Sequence, residues 1–256
     1  MPVYTNRLNP DFFNITEVRG AIDSAYHGLV LQANRRLTKG LQFQASYTLS
    51  RSRDNGQSSV TFTATNTPTD PYNIALDQGI TGVDIPHRFV ASAVYSPRGF
   101  GLQESALGRA IFGGWTIAPI VTAQSGRPYS PGVSVTNRPL ATALNSTITG
   151  SGGDSYFFPL GRNSFRQPKI VNVDLRLSRR FNFTEQTNLE FLIEGFNLFN
   201  RTQVTSVNTT AFRLVSVAPS TLGTSLVPDA TFGTASQTAN SIFRERQVQL
   251  AVRFQF

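Results

Sequence analysis

Few side chains in this sequence could do chemistry. The chain holds two histidines, His27 and His87, and no cysteine. The missing thiol excludes a disulfide framework, a thiolate metal site and a cysteine nucleophile. Neither histidine has carboxylates at ligand spacing, so both read as structural groups. Asp70, Asp77 and Asp84 do not have the spacing of an EF-hand loop and read as turn and cap formers. There is no Gly-x-Ser-x-Gly elbow, P-loop or Gly-x-Gly-x-x-Gly, and Gly150-Ser-Gly-Gly-Asp opens no helix that could hold a phosphate. Neither enzymatic activity nor a cofactor is expected.

One polar constellation remains. Asp174, Arg176, Glu190, Glu194 and Arg253 occupy alternate positions in three segments with strand periodicity. Antiparallel pairing would bring them to one face within reach of one another. Arg176 and Arg253 are expected to flank the Glu190/Glu194 row in a barrel interior. Such a row could contact a plug or set pore polarity, or it could be a charge ladder that holds strand register.

The elements that would position these groups are strands with two unlike faces. Alternation marks residues 26–37, 41–52, 87–96, 114–124, 170–181, 188–199 and 244–256. Leu41, Phe43, Ala45, Tyr47 and Leu49 alternate with Gln42, Gln44, Ser46, Thr48 and Ser50. Val171, Val173, Leu175 and Leu177 alternate with Asn172, Asp174, Arg176 and Ser178. Val248, Leu250, Val252, Phe254 and Phe256 alternate with Gln247, Gln249, Arg253 and Gln255. Leu192 breaks the polar face of the sixth segment. Pro119 lies inside the fourth, where it removes a ladder donor and suggests a bulge or poor pairing.

Connections carry as much information. Thr38-Lys39-Gly40 makes a tight hairpin, the turn around 182–186 is short, and 97–113 is of moderate length. Residues 53–86, 125–169 and 200–243 form long connections rich in Ser, Thr, Asn, Gly and Pro. Short and long therefore alternate, as in outer-membrane barrels with short periplasmic turns and long extracellular loops. The expected fold is all-β, an antiparallel transmembrane barrel segment of about seven meander strands. Each segment can cross a hydrocarbon core, which takes about 9–11 tilted residues. The alternation assigns Leu41, Phe43, Tyr47, Leu49, Val171, Val173, Leu175, Val248, Leu250, Val252 and Phe254 to lipid. Phe181, Phe183, Phe254 and Phe256 fall near the periplasmic interface, and Tyr26 and Phe199 near the other.

Composition agrees. A hydrophobic fraction of 39% is too low for membrane helices, but a barrel turns only alternate residues to lipid. The net charge of +8 comes from scattered arginines, since lysine occurs only at Lys39 and Lys169. Scattered arginine suits surface or pore lining, and no nucleic-acid partner is expected. Met-Pro-Val-Tyr-Thr-Asn is no signal peptide, so the chain is expected to be part of a longer exported protein.

Several blocks resemble TonB-dependent receptors of the Oar-like group, which carry a carboxypeptidase-regulatory-like domain. They are Ser24-Ala-Tyr-His-Gly-Leu, Gly40-Leu-Gln-Phe-Gln-Ala-Ser-Tyr-Thr-Leu-Ser-Arg-Ser, Asp84-Ile-Pro-His-Arg-Phe-Val, Gly113-Gly-Trp-Thr-Ile, Asn172-Val-Asp-Leu-Arg-Leu-Ser-Arg-Arg-Phe, Glu194-Gly-Phe-Asn-Leu-Phe-Asn-Arg and Gln249-Leu-Ala-Val-Arg-Phe-Gln-Phe. The resemblance covers nearly the whole chain. It implies the last third of a barrel of about 22 strands in the bacterial outer membrane, without the plug and regulatory-like domain. The implied role is barrel wall and extracellular loops of a receptor that takes up a small-molecule, glycan or peptide ligand. The implied partners are outer-membrane lipid or lipopolysaccharide, the barrel-assembly machinery, and plug and TonB through the missing part. Phe254 and Phe256 would form the C-terminal assembly signal. One alternative is a small self-contained barrel with a structural or adhesive role. Another is a soluble β-sandwich carbohydrate-binding module, which would bury Leu41, Phe43, Tyr47 and Leu250 between two sheets.

Overall fold

The structure is a computed structural model, and it describes residues 19–56, 72–97, 105–135, 157–216, 224–239 and 242–256 together with positions 9, 11, 68 and 70. The alternating segments become seven long strands: β1 (Ser24–Thr38), β2 (Leu41–Asp54), β3 (His87–Tyr95), β4 (Trp115–Gln124), β5 (Ile170–Asn182), β6 (Asn188–Phe196) and β7 (Gln247–Gln255). They form one sheet in chain order, and each is antiparallel to the next. Such a meander needs only local connections, and the period-2 pattern fixes its register, since a slip of one residue would exchange the faces.

Local chemistry sets the ends and turns. Lys39 and Gly40 both have positive φ, 53° and 81°, the requirement of a two-residue type I′ hairpin. Gly114 has φ +75°, and a Cβ there would overlap the Arg180 carbonyl. Glycine alone fits that approach, in which Arg180 N–H donates to Gly114 O at 2.9 Å. Pro119 causes no bulge: the β4–β5 register runs through Pro119↔Leu175 unshifted. On the other side the pairs run from Arg88↔Gln124 to Ser92↔Ile120 and resume at Tyr95↔Ile117. The missing N–H thus interrupts one ladder and leaves the register intact.

β6 ends at Phe196, short of the expected 199, because Asn197 turns left-handed at φ 48°. Its N–H goes to Asp174 Oδ1, and its Nδ2 goes to the carbonyls of Arg201 and Arg244, all at 2.9 Å. Arg246 N–H donates to Asn200 Oδ1 at 3.1 Å. These groups hold the backbone before β7 outside the ladder, so that strand begins at Gln247 and not at 244. The connection 97–113 contains a short helix, Ala106–Phe112, capped by Ser105 Oγ, which accepts the Gly108 N–H at 2.9 Å.

Cross-strand pairing puts the apolar residues on one face. The rows include Leu31↔Tyr47↔Phe89↔Ala123↔Val171 and Leu177↔Ile193↔Leu250. Among the described residues nothing covers this face. Leu250 is 74% exposed and Val248 66%, while Leu41, Phe43 and Tyr47 are part-exposed. A sandwich would bury them, so the soluble-module alternative fails. The buried apolar residues lie elsewhere: Leu192 and Ile170 on the opposite face, and Val133, Val207 and Ala211 in the long connections. Tyr26, expected at an interface, pairs with Ser52 and so stands on the polar face. Among the described residues, β1 and β7 each have a strand neighbour on one side only.

Candidate functional site: a charged wall beneath a packed loop layer

The polar face carries the constellation read from the sequence, and pairing decides who meets whom. Glu190 stands between Arg253 and Arg180, and Glu194 between Gln249 and Arg176. Arg176 pairs with Glu194 at 2.6 Å, and Glu190 lies 3.5 Å from Arg180 and 3.8 Å from Arg253. Arg180 is a member that the sequence reading overlooked, although its alternation with Ser178 marked the same face. Asp174 does not join the ladder. Its Oδ1 accepts Asn172 Nδ2 at 2.8 Å and Asn197 N–H at 2.9 Å. There it lines a cavity of about 270 Å³ together with Asn172, Phe196, Asn197, Arg244 and Gln247. Leu192, the break in the polar pattern, is buried between Ser178 and Ala251.

The long connections fold onto the same end of the sheet. Residues 128–129 pair with 165–166. Residues 132–135 run parallel to 210–216, which pair in turn with 224–228. Tyr129, Phe165 and Phe232 pack ring against ring at 5.0–5.9 Å. Charge ties the layer to the strands. Arg162 pairs with Asp54 and donates Nε to the Asp77 carbonyl at 2.6 Å. Arg166 pairs with Asp84, whose Oδ1 accepts the Ser52 N–H at 2.5 Å. Asn163 Nδ2 donates to the Ile80 carbonyl at 2.6 Å. Asp84 is thus a cross-loop anchor, Asp70 a turn former that accepts the Tyr72 N–H at 2.9 Å, and Asp77 a buried residue whose carbonyl receives an arginine. Arg162 and Arg166 were not legible beforehand, because Arg162 finds its partner 108 residues away.

Both histidines stand on the apolar face at this end. His27 lies opposite Arg51, and His87 opposite Leu49. His87 Nδ1 is hydrogen-bonded to Tyr47 Oη at 2.8 Å. Among the described residues no three His, Cys, Asp or Glu gather where they could hold a metal. At the opposite end Arg179 sits on the apolar face over Trp115 and Phe181, 5.1 and 4.5 Å from their ring centres. Phe254 packs against Phe256 at 5.9 Å.

Comparison with known families decides the class. The family model described as outer membrane beta barrel domain matches residues 1–249. The chain belongs to that family. No curated protein matches it. The outer membrane beta barrel domain places the chain in the bacterial outer membrane, where an uncovered apolar sheet face is what the fold requires.

The loop layer of this outer membrane beta barrel domain has a pH limit that can be measured. The Asp229 carboxyl is lowered to about 2, chiefly by the Thr231 hydroxyl and N–H, with Arg213 beside it. The contacts measure 2.6 Å, 2.8 Å and 2.6 Å. A depressed carboxylate contributes stability in full above its ordinary value near about 4, and this is lost as pH falls through the folded value. The Arg213–Asp229 clasp is therefore expected to persist at pH 4 and open as pH approaches 2. Thr231→Val is expected to move the midpoint up toward the ordinary carboxylate range. A carboxyl ¹³C titration of Asp229 measures it, and an unmoved midpoint in the variant excludes the Thr231 hydroxyl as a cause.

Proposed function

We propose that this chain forms barrel wall and extracellular loops of a TonB-dependent receptor that takes up a nutrient ligand and catalyses nothing. The observation that carries the reading is strand direction. With seven antiparallel strands, β1 and β7 run the same way, and neither outer edge has a partner among the described residues. Bilayer hydrocarbon does not tolerate an open edge, and bacterial barrels close with an even number of antiparallel strands. An odd number of further strands must therefore lie between β7 and β1. The remainder of a barrel of about 22 strands meets that condition. A self-contained barrel would meet it with a single extra strand hydrogen-bonded to both.

In this reading the apolar face meets lipid and the charged wall faces the interior, where a plug would lie against Arg176, Arg180, Glu190, Glu194 and Arg253. The long loops, with the cavity beside Asp174, face outward and receive the ligand.

The test uses cells that express the protein. Antibody against the loop layer is expected to detect an outer-membrane polypeptide much longer than 256 residues. Its deletion is expected to abolish uptake of a nutrient, and loss of TonB to abolish it equally. A folded product of this length alone, or uptake indifferent to TonB, would overturn the proposal.

A further inference from the structure

On the apolar face, among the described residues, arginine and histidine side chains stand toward the two ends of the band. From Leu29 and Leu49 down to Ala33, Leu41 and Tyr95, and across β4 to β7 as far as Ile117, Leu177, Phe191 and Phe254, every residue on that face is uncharged. At the loop end the pattern changes abruptly. His27 stands opposite Arg51, Ala25 opposite Arg53, and His87 closes the group on the next strand. His27, Arg51, Arg53 and His87 are all exposed. Among the described residues, the ion pairs include neither Arg51 nor Arg53. Asp54 turns to the other face and pairs with Arg162, and Asp23 makes no ion pair with either arginine.

Height along the strand identifies what these cations meet. From Leu41 to Arg51 the chain climbs ten residues, about 34 Å along the strand at ~3.4 Å each. With a tilt near ~45° that is about 24 Å along the membrane normal, the height of the apolar band of a barrel at about 25 Å. Arg51 is thus at the level where hydrocarbon gives way to headgroups, on the side of the long loops. The outward cations toward the other end, Arg35 and Arg179, stand opposite Phe43 and Phe191, and Arg179 is already stacked on Trp115 and Phe181.

Two guanidinium groups two residues apart on one strand repel each other unless an anion sits between them, and each offers a fork that matches phosphate oxygens. We propose that Arg51, Arg53 and His27 form a binding site for the phosphate of an outer-leaflet phosphoglycolipid, lipopolysaccharide, whose acyl chains lie along Leu29, Leu31 and Leu49. The apolar residues directly beneath the cations distinguish a lipid phosphate from a free one, because a free anion has no use for them. The inference rests on the reading that the apolar face meets lipid.

The full protein in nanodiscs containing lipopolysaccharide tests it. Native mass spectrometry is expected to show lipopolysaccharide retained by the wild type. Dephosphorylated lipopolysaccharide, and the variant Arg51→Gln/Arg53→Gln with the phosphorylated lipid, are each expected to bind at least about tenfold more weakly. His27→Gln is expected to weaken binding less, and inorganic phosphate at millimolar concentration to leave the complex in place. Equal retention by the double variant, equal retention of the dephosphorylated lipid, or displacement by inorganic phosphate overturns the site. Leu31→Trp separates the two readings. Its fluorescence is expected to be quenched by brominated acyl chains. Quenching combined with unaltered lipid retention removes this site alone, whereas no quenching removes the lipid-facing assignment beneath it.

Discussion

Leu250→Arg is expected to lower the stability of the membrane-embedded fold by about 2–4 kcal/mol, the cost of a guanidinium near the middle of a lipid-facing strand. Leu250 lies in the row Leu177↔Ile193↔Leu250, and it is 74% exposed, with no second layer over it among the described residues. In water that exposure would make the substitution harmless, since surface changes away from special features stay within about 0.5 kcal/mol. The two solvents thus predict opposite outcomes for one substitution. Gln249→Arg, one residue away, is the control. It points to the polar face beside Glu194, where a cation gains a carboxylate neighbour, and it is expected to change stability little. Guanidinium unfolding in phospholipid vesicles measures both variants. Equal behaviour would show that the two faces do not differ in what they touch.

The strands were legible because a barrel writes its solvent into every second residue. Leu41 to Ser50 and Val171 to Ser178 alternate without exception, and cross-strand pairing keeps each set on one face. The order of the strands was legible as well: each pairs with the next along the chain, and β1 and β7 each keep one unpartnered edge among the described residues. The departures have particular causes. β6 stops early because Asn197 takes a left-handed conformation that Phe-Asn-Leu-Phe-Asn does not announce. Pro119 suggested a bulge, but it faces a partner strand on each side and costs only one ladder. The helix Ala106–Phe112 is too short for its periodicity to emerge from a Gly-rich connection. Of the charged wall, Arg176, Glu190, Glu194 and Arg253 were visible from parity and Arg180 followed the same parity unnoticed, while Asp174, read with them, turns instead to Asn172 and Asn197. The loop layer had no such code. Arg162 lies between Gly161 and Asn163, both at positive φ, and those residues predict a turn without naming Asp54 as the partner.

Arg162→Leu is expected to cost about 3–5 kcal/mol locally, the penalty for removing one member of a buried pair. The Arg162 side chain is 3% exposed and that of Asp54 13%. The guanidinium serves the Asp54 carboxylate, the Asp54 carbonyl at 2.8 Å and the Asp77 carbonyl at 2.6 Å. All three acceptors would be stranded, and the connection 125–169 would keep only its Asn163–Ile80 and Arg166–Asp84 ties on this side. Arg176→Leu at the wall is the contrast. Arg176 makes a pair of good length with Glu194 but is 53% exposed, and a pair so accessible is worth about 0–1 kcal/mol. Hydrogen exchange reads the difference by place. Arg162→Leu is expected to speed exchange at Asn163 and across residues 79–84 while β5 to β7 stay protected, and Arg176→Leu is expected to leave both regions unchanged. Arg162→Lys is expected to recover only part of the loss, because a single ammonium cannot reach both loop carbonyls in the fork geometry of guanidinium. Combining Arg162→Leu with Asp54→Asn is expected to cost less than the sum of the two, since the second change removes the charge that the first left unpaired. Strict additivity would mean that the two side chains do not act as one buried pair, and the order of the loop layer would then rest on its other ties, among them Arg166–Asp84 and the Tyr129–Phe165–Phe232 cluster.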